Sequence, residues 1–187
     1  MERVVNIRDH NYIQTERLLL KAITIDNVNS TYVEWLNDPE INKYLESRHF
    51  IHTMDSTTQY ILDCLNNPLV YKHGIFDRES NRHIGNIKLC ITNYSEKIGE
   101  LGILVGEKEY WGQGIATEAI KGFTHYGFTN LGLKEIVAGC YQSNIASLRA
   151  FEKAGFSVSE LLKDTHTLNG NAENSYRLKL KFSDDKK

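Results

Sequence analysis

The sequence predicts an α/β (α+β) domain with a mixed, mostly antiparallel sheet of about seven strands and helices on both faces. Three observations predict it. Short apolar runs at 70–76, 84–91 and 100–105 are separated by polar turns at 77–82 and 92–97, as in a series of hairpins. Downstream, from 115 to 162, helix-like and strand-like stretches alternate. The 187 residues contain two prolines, with no internal repeat and no low-complexity linker, so one domain spanning 1–187 is expected.

The elements follow in order. Residues 15–22 read as a strand through Leu18-Leu19-Leu20. Residues 26–35 read as a helix, with Val28, Tyr32, Trp35 and Leu36 at helical spacing. Asn37-Asp38-Pro39 ends it and opens a short second helix carrying Ile41, Tyr44 and Leu45, since proline suits a first helical turn. Thr53 is the expected N-cap of a helix over 54–65, and Pro68 closes that region. The three apolar strands come next. Residues 115–131 read as a helix with Ala116, Ala119, Ile120, Phe123 and Gly127 on one face. Residues 135–141 form a strand, and 147–154 lie in a helix that Gly155 can cap in the left-handed region. Residues 156–162 and 176–182 are a closing strand pair with Asn169-Gly170 as a turn, and 183–187 are a tail.

Composition narrows the function classes. A net charge of −2 gives no general pull toward nucleic acid. Residues 1–14 mix charges with apolar residues and lack the apolar core of a signal peptide. No apolar run reaches the ~20 residues that a membrane span needs. A cytoplasmic protein is therefore expected. Cys64, Cys90 and Cys140 are far apart without a C-x-x-C spacing, which favours free thiols over a disulfide. The seven histidines are scattered, and no metal site is expected.

Residues 111–117 read W-G-Q-G-I-A-T, between the apolar run at 101–105 and the helix from Ile115. Gly112 and Gly114 let the backbone approach a ligand closely. The N–H groups that open the helix have no acceptors within it. Strand, glycine turn and helix start together make a seat for a phosphate or pyrophosphate.

A second motif, N-I-A-S-L-R-A-F-E-K-A-G-F at 144–156, lies downstream. With W-G-Q-G-I-A-T, the chain resembles the GNAT superfamily of acetyl-CoA-dependent N-acetyltransferases. T-E-R-L-L-L-K at 15–21 and W-L-N-D-P-E at 35–40 narrow the resemblance to the RimJ/RimL-like branch. The resemblance implies the acyl-CoA N-acyltransferase fold and acetyl-CoA as cosubstrate. It places the diphosphate on Trp111, Gly112, Gln113, Gly114, Ile115, Ala116 and Thr117, with Trp111 standing where the superfamily usually has Gln or Arg. It gives the pantetheine to the backbone of Leu104, Val105 and Gly106, with Gly106 as a bulge. Asn144 and Ser147 would meet the thiol end, beside their ordinary helix-capping role. A homodimer is also compatible with the resemblance.

Acetyl transfer to an amine needs a base, a donor for the developing oxyanion and stabilisation of the departing thiolate. Glu100 is the candidate base. It stands 14 residues before Gly114 (114 − 100), the spacing of the catalytic glutamate in histone-acetylating relatives. Its alternative is a solvated hairpin residue. The oxyanion donor is expected at the Leu104 N–H or nearby. Many relatives use a tyrosine as acid where this chain has Phe151. Ser147 is the nearest substitute and Tyr141 a weaker one. Phe151 also keeps open a non-catalytic acyl-CoA-binding module. Trp35, Tyr44, Arg48, Asn86, Lys88 and Tyr176 are candidates to line the acceptor side, and Arg48 could meet an acceptor phosphate. The resemblance implies a primary amine as acceptor: an amino sugar, a protein N-terminus or a small amine.

Overall fold

The computed structural model describes residues 12–183. The readings of 1–14 as lacking a signal peptide and of 183–187 as a tail fall almost wholly outside the described residues. Eight strands form one sheet: β1 (Tyr12–Gln14), β2 (Leu18–Ala22), β3 (Val70–Asp77), β4 (His83–Asn93), β5 (Ile98–Val105), β6 (Glu135–Tyr141), β7 (Ser157–Leu168) and β8 (Asn171–Lys181). Their order is β1-β2-β3-β4-β5-β6-β8-β7, and β5·β6 is the parallel pair in an otherwise antiparallel sheet. The eighth strand beyond the seven expected is β1, at Tyr12–Gln14, and the strand expected over 15–22 starts only at Leu18 because 15–17 form a turn. Thr15 N–H donates to the Leu18 carbonyl at 3.0 Å, and Leu18 N–H donates to the Thr15 hydroxyl at 3.1 Å. That turn folds β1 back on β2.

Helices cover both faces. α3 (Ile115–Thr129) and α4 (Ile145–Lys153) lie over one, where Leu101, Ile120, Phe123, Ile136 and Phe151 join the larger core. α1 (Ser30–Asn37) and α2 (Met54–Asn66) lie over the other, where Tyr32, Trp35, Leu36 and Ile61 pack with Leu104. Thr53 caps α2 as expected, accepting from Ser56 N–H. The expected helix at 26–35 instead begins at Ser30, because the Asn29 side chain accepts from Tyr32 N–H at 2.9 Å and caps there.

The short helix expected from Pro39 does not form. Asp38 Oδ1 accepts the Glu40 N–H at 2.8 Å, and Asn42 Nδ2 donates to the Leu36 carbonyl at 2.8 Å, so side chains hold 39–45 in turns. β7 and β8 are longer than predicted and meet at Asn169 (φ 52°) and Gly170 (φ 79°), both in the left-handed region that a two-residue hairpin turn needs.

The feature that positions the site is a parting of β5 from β6. Their register runs Ile98↔Glu135, Gly99↔Ile136, Glu100↔Val137 and stops. β5 continues along β4 to Val105, and β6 continues along β8 to Tyr141. The sheet opens between them as a V.

Candidate active site

The walls of the V are backbone. Gly106 N–H donates to the Ile84 carbonyl on β4, and Glu135 N–H on β6 reaches the Lys97 carbonyl. Alternation along β5 then turns the even residues, Leu104 included, toward β4 and the odd residues toward β6. Past the last ladder pair, the amide groups of Ile103 and the N–H of Val105 face the opening. The Gly139 amide answers them from β6, since it points the same way as that of Glu135, which bonds toward β5. Leu104 is therefore not the donor into the cleft. Its amide pairs toward Asn86 and its side chain enters the α1/α2 core.

Val105 is also changed from expectation, because its carbonyl is taken by Trp111 Nε1 at 2.9 Å. Gly106 is explained by packing: a Cβ there would lie 2.1 Å from the Trp35 ring. Its N–H and that of Glu107 converge on the Ile84 carbonyl, so the irregularity faces β4 and not the cleft.

The V leads to the start of α3. Gly112 (φ 73°) and Gly114 (φ 78°) are left-handed, and Gly114 is an N-cap without a side-chain cap. Glu118 N–H is the first to find a helical acceptor, at the Gly114 carbonyl. The N–H groups of Ile115, Ala116 and Thr117 remain to bind an anion. The Gln113 side chain is occupied, donating to the Glu109 carbonyl.

At α4, Asn144 Oδ1 caps Ser147 N–H at 3.2 Å, which is the capping role. Its Nδ2 has no partner among the described residues. Ser147 is half-buried, one turn before Phe151. Phe151 is buried edge-on against Phe156 at 5.1 Å, a core residue with no proton to give.

Glu100 is exposed at the vertex of the V, on the α1/α2 face. The other acceptor-side candidates divide. Trp35 is buried, donating to Glu107 at 3.2 Å. Tyr44 hydrogen-bonds to the Ser143 carbonyl at 3.2 Å. Arg48 is spent on the Leu45 carbonyl, the Tyr141 hydroxyl and the Thr167 carbonyl, so it does not await a phosphate. The Tyr141 hydroxyl is held by Glu46 at 2.5 Å as well, and burial pushes its pKa up. Tyr176 joins the core on the α3/α4 face, opposite the face that carries Glu100. Asn86 and Lys88 do lie on the α1/α2 face beside Leu104 and Gly102.

The Acetyltransferase (GNAT) domain family matches residues 17–157. The chain belongs to the GNAT acetyltransferase family. This GNAT domain is 26% identical over 170 residues to the N-acetyltransferase p20 of Bacillus licheniformis, covering 90% of this chain and 94% of that one. Its fold is similar to the spermidine N-acetyltransferase of Vibrio cholerae, solved with CoA and spermine (TM-score 0.81, 20% identity, 89% and 96% covered). It is also similar to the ribosomal-protein-S5-alanine acetyltransferase of Vibrio fischeri (TM-score 0.80, 20% identity, 94% and 99% covered).

Sequence reasoning passed over three residues of this GNAT site, Thr15, Arg17 and Glu118. Arg17 donates to Glu118 Oε2 at 2.7 Å and to the Gln113 carbonyl at 3.0 Å, and Thr15 donates to Glu118 Oε1 at 2.6 Å. Burial raises the Glu118 pKa, but these hydrogen bonds and the Arg17 charge lower it overall. The glycine turn is thereby clamped to β1–β2. The signal was T-E-R at 15–17, which carried the family resemblance without a stated role.

Proposed function

We propose that the chain transfers an acetyl group from acetyl-CoA to a primary amine by direct attack in a ternary complex. The observation that carries this is the V between β5 and β6, whose unpaired amides lead to the bare N-terminus of α3. Acetyl-CoA would supply the activated acyl group. The N–H groups of 115–117, with Gly112 and Gly114, hold its diphosphate, and Ile103 and Val105 offer the pantetheine a strand-like edge. An oxyanion in the V meets the Ile103 N–H. Glu100, at the vertex, takes the ammonium proton through water, since an alkylammonium is no nucleophile. The Ser147 hydroxyl solvates the thiolate, which leaves without a strong acid because a thiol has a pKa near ~8.5.

The RimJ/RimL-like branch, a single domain over 1–187, a cytoplasmic location, no nucleic-acid partner and an admissible homodimer belong to the same reading. Among the described residues, no helix is long and apolar enough to cross a membrane. The test is thiol release from acetyl-CoA with amino sugars, peptides and polyamines. Amine-dependent release supports transfer. Tight binding of acetyl-CoA without release in any case would favour a binding module.

A further inference from the structure

On the α1/α2 face, Lys72 of β3 stands directly opposite Lys88 of β4, and Lys88 stands opposite Gly102 of β5. Both lysines are half-buried. Their Nζ atoms lie 5.2 and 5.8 Å from the centre of one ring, that of Tyr60 on α2. Neither has a carboxylate within salt-bridge distance among the described residues. Like charges directly opposite on a sheet destabilise it. Burial, with Lys88 adding to it, lowers the Lys72 ammonium to about 8.

The row does not end in packing. A Cβ on Gly102 would meet no atom within 4 Å, so the lysines border open space at the mouth of the V. Asn86, two residues before Lys88 on the same face, carries a buried Nδ2 with no partner among the described residues. Glu100 is the diagonal neighbour of Lys88, about 7–8 Å away along the sheet.

We infer that the acceptor is an amine bearing an anionic group, a carboxylate or a phosphate, which Lys88 and Lys72 bind while its nitrogen lies toward Glu100. This rests on the acetyltransferase reading. Tyr60 holds the two ammonium groups together through its ring face in the absence of the anion. A polyamine brings only positive charge to this place, and the lysines repel it.

The test uses 3-aminopropanol, 3-aminopropanoate, 3-aminopropyl phosphate and spermidine with the full chain, Lys88→Met and Lys88→Arg. In the parent, kcat/KM for an anionic amine exceeds that for the alcohol by about tenfold, the range of a charge-assisted contact. Lys88→Met loses that preference, and Lys88→Arg keeps it. The carboxylate and phosphate arms show which anion is preferred. Equal rates for the alcohol and both anions, a preference for spermidine, or an equal loss for all amines in Lys88→Met would overturn the proposal. Calorimetric binding to the CoA-loaded protein reads the same order without turnover. An anion preference in binding with no thiol release would overturn the transfer reading and leave the anion site standing.

Discussion

The indole N–H of Trp111 donates to the Val105 carbonyl at 2.9 Å, tying the glycine turn back to the strand it leaves. The tryptophan stands where the superfamily motif usually has Gln or Arg, and here it closes a carbonyl at the mouth of the V. Trp111→Phe keeps the ring and deletes the donor. Loss of one hydrogen bond of about 1 kcal/mol should weaken acetyl-CoA binding roughly fivefold with kcat little changed. Calorimetry and steady-state rates check this, and an unchanged Kd would show that the bond does not hold the turn.

Gly114 has φ 78° and caps α3 without a side chain. Gly114→Val pays about 1–2 kcal/mol for the left-handed backbone. It also puts a branched side chain where the diphosphate approaches. Acetyl-CoA affinity should fall by at least about tenfold, beyond what the stability loss explains, while circular dichroism shows the fold intact. Unchanged affinity removes the turn as the diphosphate seat.

Glu100→Gln should lower kcat/KM by about a hundredfold near neutral pH, the range of general-base catalysis. The deficit should shrink toward pH ~10, where the amine is already deprotonated. A deficit that is the same at every pH would mean Glu100 is not the base.

His73 is buried beside the Phe123 ring at 4.8 Å, and its Nδ1 has no partner among the described residues. Burial lowers its pKa from 6.5 to about 4. The unfolded chain therefore binds the proton more readily, and stability is lost as pH falls from 6.5 toward 4. The full effect is on the order of 3 kcal/mol. His73→Leu should flatten this part of a urea-unfolding pH series. Some slope remains, because burial also lowers the His83 pKa. A slope unchanged from the parent would show that His73 is not its source.

What the sequence revealed was local. The Thr53 cap, the bounds of β6 and the Asn169-Gly170 turn depend on neighbours a few residues away, and all are present as read. The glycine turn is legible for the same reason. What stayed hidden depends on distant partners. Whether Leu104 or Ile103 aims its amide into the V is decided by the register with β4. Arg48 reads as a free cation until residues 93 and 119 positions away in the chain occupy it. Arg17 and Glu118, 101 positions apart, meet only once β2 lies beside α3. The pairing of Lys72 with Lys88 is likewise a product of register.

Acetyl-CoA is proposed to lie in the V between β5 and β6 with its diphosphate on the start of α3. A backbone-amide NMR titration with acetyl-CoA tests it most directly. The largest shifts are expected at Ile103, Val105, Gly139 and residues 112–117. Saturable binding that leaves these amides unmoved and shifts others would contradict it.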